Sequence, residues 1–280
     1  MGNRQVKRVV EGKVSFDGAG VKLNRMFGGR DSQEFDPFLL LDGFDSTKAS
    51  EYLKGFPWHP HRGIETVTYL ISGEIDHQDS LGNSGVIRGG ECQWMTAGSG
   101  ILHQEMPQES DHLLGVQLWV NLPQKEKMVR PAYRDIRESM MGKVAEEGAI
   151  IKIIAGTYQG KVGAIEKSFV EVRLLDVLLE GNTTWTLPTE ANNTLFCYLF
   201  GGSATFEEEG EVLGPTTIAL LERGDNLVVR ASKEGARFLV AEGPPLNEEI
   251  AWGGPIVMNT REEIHQAFKE LEEGTFIKGY

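Results

Sequence analysis

Three histidines and a glutamate are spaced so that they can share one metal ion. His59 and His61 flank Pro60 in Trp58-His59-Pro60-His61-Arg62-Gly63. On an extended chain residues i and i+2 project from the same face, so the two imidazoles point together. Pro60 favours an extended backbone at His59 and lacks a ladder N–H, which suits a strand start or edge. His103 and Glu105 repeat the spacing in Gly98-Ser99-Gly100-Ile101-Leu102-His103-Gln104-Glu105-Met106. On antiparallel neighbours the two pairs can converge on one point. Three imidazoles and one carboxylate, with no sulfur, favour a borderline divalent transition metal, because a structural zinc site more often recruits cysteine. An octahedral ion held by these four would keep about two positions open for oxygen and substrate, as non-heme Fe(II) does.

Neighbouring residues define the alternatives. Glu65 shares strand parity with His59 and His61 and competes with Glu105 as the carboxylate ligand, unless Gly63 introduces a bulge; failing that, Glu65 is expected to orient a ligand imidazole by accepting its hydrogen bond. Arg62 either steers an anionic substrate or pairs with an acidic neighbour, and pairing is the simpler expectation. Trp94, Met95 and Met106 flank the two motifs and either line an apolar substrate pocket or pack in a core. His77, in Glu74-Ile75-Asp76-His77-Gln78-Asp79, is expected in a turn, and His112 and His265 at the surface. The Gly98-Ser99-Gly100 stretch is not a dinucleotide fingerprint, since it lacks the third glycine and a following helical pattern.

Strands must carry these residues. Short alternating or β-branched runs such as 65–72, 113–122, 149–156, 169–180, 194–200 and 237–243, bounded by Gly, Pro, Asn or Asp, indicate an all-β sandwich or barrel. Thr260, followed three residues later by Glu263, marks a capping box, and Ile264, Ala267, Phe268 and Leu271 give one apolar face, so a helix is expected over 260–273 and ends at Gly274. A second helix is expected over Asp135–Glu147, interrupted by Gly142. A faint repeat aligns TYLISGEI (68–75) with CYLFGGSA (197–204), placing Gly73 over Gly202. The repeat implies two β domains: 1–130 with the metal site, 131–148 as a connection, and 149–280 including the helix. Carried across the repeat, His59 and His61 fall on Pro188 and Glu190, so the second domain is expected to hold no metal.

Composition narrows the partners. The formal charge is −13, which argues against direct nucleic-acid binding or an anionic membrane as the main partner. No run approaches the roughly 18 apolar residues of a membrane span, and no secretory or myristoylation signal stands at the start. A cytoplasmic location is expected. Cys92 and Cys197 sit in apolar runs and are expected as buried thiols, not a disulfide.

The segments GFPWHPHRGIETVTYLISG (55–73) and GGECQWMTAGSGILHQEM (89–106), together with DPFLLLDGF (36–44) and GGPIVMN (253–259), resemble the pirin family of the cupin superfamily. The resemblance is dense in the N-terminal half and looser over 150–240. It implies a bicupin, two packed double-stranded β-helix (jelly-roll) barrels, with one iron-type metal in the first. Carried over residue by residue, it places the ligands at His59, His61, His103 and Glu105, preferring Glu105 to Glu65. It further implies a quercetin 2,3-dioxygenase acting on a flavonol-like aromatic with O2, with Fe(II), or Mn, Co, Ni or Zn, and with Glu105 as the general base for the substrate hydroxyl. The other activity it implies is a metal- or redox-sensing regulator that binds a partner enzyme or transcription factor without turnover.

Overall fold

The structure, a computed structural model, describes residues 2–165 and 168–279. Strands dominate, as the alternation predicts, and the chain forms two compact all-β units. Among the described residues no helix is long and apolar enough to cross a membrane.

The histidine-bearing unit comprises Val14–Ser32, Phe38–Glu138 and Leu246–Tyr280. Its larger sheet has seven strands in the order Ala132–Ile136, Cys92–Thr96, Ile64–Ser72, Leu113–Asn121, Phe38–Ser46, Val21–Phe27 and Lys13–Asp17. Its smaller sheet has four, in the order Phe56–His61, Ile101–Pro107, Glu74–Asp79 and Ser84–Arg88. The pairings are antiparallel; Ile101–Pro107 and Glu74–Asp79 alternate in burial, whereas Ile64–Ser72 and Leu113–Asn121 are buried over most of their length.

The other unit comprises Met1–Lys13, Gln33–Pro37 and Ser139–Pro245. Its eight-stranded sheet encloses a filled apolar interior that includes Trp185, Leu187, Phe206 and Phe238. The repeat is visible in the backbone. Tyr69-Leu70 and Tyr198-Leu199 each lie within a strand, and Gly73 and Gly202 both adopt positive φ, 96° and 69°. All six histidines belong to the first unit.

The two units interleave along the chain. The capped helix forms at Arg261–Glu272, with Thr260 accepting from the Glu263 N–H and Glu263 accepting from the Thr260 N–H. It belongs to the histidine-bearing unit, not to the C-terminal half. The cause is apolar burial. Ile264 and Ala267 pack with Ile256, Met258 and Phe276, while Val257 joins a cluster with Ile64, Met95 and Ile101. Conversely, Val6–Glu11 pairs with Thr217–Leu221 and so belongs to the other unit. The helix expected over Asp135–Glu147 is absent. Ala132–Ile136 alternates in burial and adds an edge strand to Cys92–Thr96, and Gly142–Glu146 pairs with Ala149–Ala155.

Candidate metal centre

The strand Phe56–His61 runs antiparallel to Ile101–Pro107, which sets His103 opposite His59 and Ile101 opposite His61. Along Ile101–Pro107 burial alternates strictly: Ile101, His103, Glu105 and Pro107 are buried, and the residues between them half-buried. Two tight turns deliver these strands. Gly63 follows His61 with φ 77°, and a Cβ there would stand 2.0 Å from the Val257 carbonyl oxygen. Gly98 has φ 49°, and a Cβ would stand 2.2 Å from the Val129 oxygen. Only glycine fits either position.

The imidazoles of His59, His61 and His103 bring one nitrogen each within 4.8 Å of one another, a group able to hold a metal ion. The orientations of His59 and His61 are fixed from outside. His59 Nδ1 lies 2.9 Å from the Pro57 carbonyl oxygen and His61 Nδ1 lies 3.0 Å from that of Pro255. A carbonyl only accepts, so each Nδ1 carries a proton, and in the neutral form of each ring the lone pair is on Nε2. The two Nε2 atoms face each other at 3.1 Å. Two lone pairs at that distance repel unless a cation lies between them, and two nitrogens each about 2.1 Å from one divalent ion, at a right angle, stand about 3 Å apart. A proton on His61 is a poor candidate for that cation. Burial, then the charge of His59, pushes His61 down to about 3, and burial also holds His103 well below the usual imidazole value. His103 is fully buried with no hydrogen-bond partner on either ring nitrogen. Converging lone pairs, opposed protonation and an orphaned buried imidazole all fit a bound divalent metal.

Glu105 is buried beside this group but does not join it. Its Oε1 accepts from the Thr68 hydroxyl at 3.1 Å and its Oε2 from Gln117 Nε2 at 2.8 Å. Both donors belong to one row of the larger sheet. Arg25 pairs with Asp42, Asp42 with Gln117, Gln117 with Thr68 and Thr68 with Gln93, each directly across from the next. Five polar residues thus cross five strands in register, with Asp42, Gln117, Thr68 and Gln93 buried. Sequence reasoning missed this row because its members are scattered from 25 to 117 and only strand register aligns them.

The remaining expectations divide. Glu65 makes no hydrogen bond to a ligand imidazole. Its Oε1 accepts from Thr96 at 2.7 Å, and burial raises its carboxyl despite hydrogen bonds from Thr96 and Trp94. The strand carrying the histidines ends at His61 and Glu65 lies in the other sheet, so the shared parity does not carry through Gly63. Arg62 is buried and pairs with an acid, donating to Glu270 at 2.6 Å and to the Ser99 and Phe276 carbonyls, with Phe276 stacked beneath it at 4.2 Å. Trp94 and Met95 are buried, Met95 among Leu39, Ile64 and Ile101, and Met106 sits against Gly55. His77 is not in a turn. It lies mid-strand, buried, with its ring stacked on Tyr133 at 4.2 Å and 5.3 Å from that of His103. His112 pairs with Asp45 at 2.7 Å, and His265 is exposed. Cys92 and Cys197 are both free, buried thiols.

A cavity of about 760 Å³ opens beside His59 and His61, a size typical of small-molecule sites. Its aromatic lining comes from Phe56, Trp58, Trp119 and Trp252, in place of the expected Trp94, Met95 and Met106. Trp119 and Trp252 stack at 5.9 Å, and Trp119 meets the His61 ring edge-on at 5.1 Å.

Residues 20–120 match the Pirin family and residues 174–277 match the Pirin C-terminal cupin domain. The chain belongs to the pirin family. A pirin-like protein of Caulobacter vibrioides is 41% identical over 98% of this chain and 99% of its own. A crystal structure of quercetin 2,3-dioxygenase from Acinetobacter baumannii superposes with a TM-score of 0.88 at 34% identity, covering 98% of both chains. The pirin fold is also shared with an Escherichia coli bacterial pirin in complex with nickel(II), with a TM-score of 0.66 at 20% identity over 85% of this chain and 99% of that one. The family relationship agrees with two cupin barrels, and the histidine group lies within the part matched to the Pirin family.

Proposed function

We propose that the protein is a mononuclear metal-dependent dioxygenase of the quercetin 2,3-dioxygenase type, with His59, His61 and His103 holding the ion, Fe(II) by the character of the donors, and Glu105, buried beside them, closing in as the fourth ligand once the ion is bound. The observation that carries this reading is the pair of carbonyl-locked imidazoles whose Nε2 lone pairs face each other at 3.1 Å beside an aromatic-lined cavity. A bound divalent transition ion supplies Lewis acidity and, as iron, redox access to O2. The protein's own groups do the rest. Trp119 and Trp252 offer flat apolar surface to an aromatic substrate. Glu105 takes the proton of the substrate hydroxyl at Oε1. The Thr68 hydroxyl that donates to that oxygen can turn and accept from it, because a hydroxyl both donates and accepts. Gln117 holds Oε2 throughout.

The test is anaerobic loading with iron, manganese, cobalt, nickel or zinc, with metal counted per chain, followed by quercetin and oxygen. One ion per chain with loss of flavonol absorbance and oxygen uptake is expected for at least one redox-active metal. No flavonol loss with any of them overturns the dioxygenase reading.

A further inference from the structure

The cavity beside the histidines has a second chemical end. Its lining includes Arg25, Asp42 and Asp17. Arg25 donates through Nε and Nη2 to both Asp42 oxygens at 2.9 and 2.8 Å, and through Nη2 to Asp17 at 2.9 Å. Nη1 has no hydrogen-bond partner among the described residues. Asp42 is buried, whereas the Asp17 side chain is 54% exposed. One guanidinium against two carboxylates leaves this cluster with a formal excess of one negative charge.

The polar row sets its distance from Gln117. Asp42 stands directly across from Gln117, which holds Glu105, and Arg25 lies one strand further out. Two strand spacings amount to about 10 Å, roughly the span of a fused two- or three-ring aromatic. The stacked Trp119 and Trp252 line the same cavity. The cavity lining runs from His59 and His61 to Arg25, Asp42 and Asp17, so a flat molecule with one end at the histidines extends toward the Arg25 cluster.

We propose that Arg25, Asp42 and Asp17 form a specificity subsite that selects planar aromatics carrying uncharged hydroxyls on the ring remote from the histidines, and rejects those carrying an anion there. Adjacent phenolic hydroxyls donate to the carboxylates and accept from Nη1. A carboxylate in the same place meets two like charges against one guanidinium. This rests on the dioxygenase reading for the orientation of the ligand, but it concerns binding and is measured without turnover.

The experiment uses the full chain loaded with iron and kept anaerobic, with dissociation constants read from tryptophan quenching and checked by calorimetry. Three probes are compared: quercetin, with its hydroxylated outer ring; galangin, the flavonol that differs from quercetin only in lacking those hydroxyls; and galangin carrying a carboxylate on the outer ring. Quercetin is expected to bind about tenfold tighter than galangin, and the carboxylate more weakly than galangin. Arg25→Met strips Asp42 of its partner and can unfold the sheet, so Asp17→Asn, at an exposed side chain, is the deciding variant. It is expected to shrink the quercetin preference and to tighten the carboxylate several-fold. Equal affinities for the three probes in the wild type, or an equal shift for all three in Asp17→Asn, overturns the subsite. Oxygen uptake on quercetin is recorded in parallel. The stated preferences without uptake support the subsite and overturn the cleavage reading. Uptake without the preferences leaves cleavage standing and overturns the subsite. No binding of any probe overturns both.

Discussion

His61 gives its two nitrogens different tasks: Nδ1–H is spent on the Pro255 carbonyl, which aims Nε2 at His59. His103 has no such anchor, since neither of its nitrogens has a protein partner. Removing it therefore costs the site a donor without releasing another group. His103→Ala is expected to abolish stoichiometric metal, counted by elemental analysis, while the fold survives as judged by circular dichroism; retention of one ion per chain would count against its role as a ligand. Thr68 makes a different prediction. Thr68→Val keeps the shape but removes the hydroxyl that exchanges a hydrogen bond with Glu105 Oε1. Turnover is expected to fall about tenfold with the metal count unchanged. Lost metal would instead mean that Thr68 serves the ion.

The short strand carrying His59 and His61 and the long strand that follows belong to different sheets, and Gly63 makes the change of direction. Gly63→Ala puts a side chain into a left-handed backbone, which alone costs about 1–3 kcal/mol, and drives a Cβ into the Val257 carbonyl. A lower denaturant midpoint at unchanged slope is expected; an unchanged midpoint would show that the turn yields. This element also marks what the sequence can and cannot reveal. The pairs His59/His61 and His103/Glu105 are legible because alternation is local to one strand. Glu65 misleads because parity was carried through Gly63 into another sheet. The capping box makes Thr260 and Glu263 readable, yet no local signal says which unit the helix joins, since that depends on apolar contacts of Ile264 and Ala267 with Ile256 and Met258. Trp119 and Trp252 escape for the same reason, each reaching the site from a segment with no motif of its own, and nothing in the GGPIVMN motif says that the Pro255 carbonyl meets His61.

At the scale of the histidine-bearing unit, Lys127 ties three distant segments together. Its Nζ donates to the Gly63 and Val257 carbonyls, each at 2.9 Å, and to the Asn121 side chain. Burial pushes this amine down to about 7 from its ordinary 10.5. Below about pH 7 both folded and unfolded chains carry the proton, and the folded state bears the cost of the buried charge in full. Between pH 7 and 10.5 the unfolded chain binds more protons, so stability rises with pH through that window. Chemical denaturation at several pH values is expected to show the rise in the wild type and to lack it in Lys127→Met, which is less stable throughout because three oxygens lose their donor. A rise of equal size in both would assign it to another group.

The bond between His61 and Pro255 spans 194 residues. A ribosome adds about 5–20 residues per second, so the oxygen that sets the His61 tautomer emerges roughly 10–40 s after the imidazole it serves. During that interval the nascent chain already displays all three imidazoles, but the His61 ring is free to bind through either nitrogen. An ion taken through Nδ1 of His61 in that interval would have to move to Nε2 when the C-terminal segment arrives.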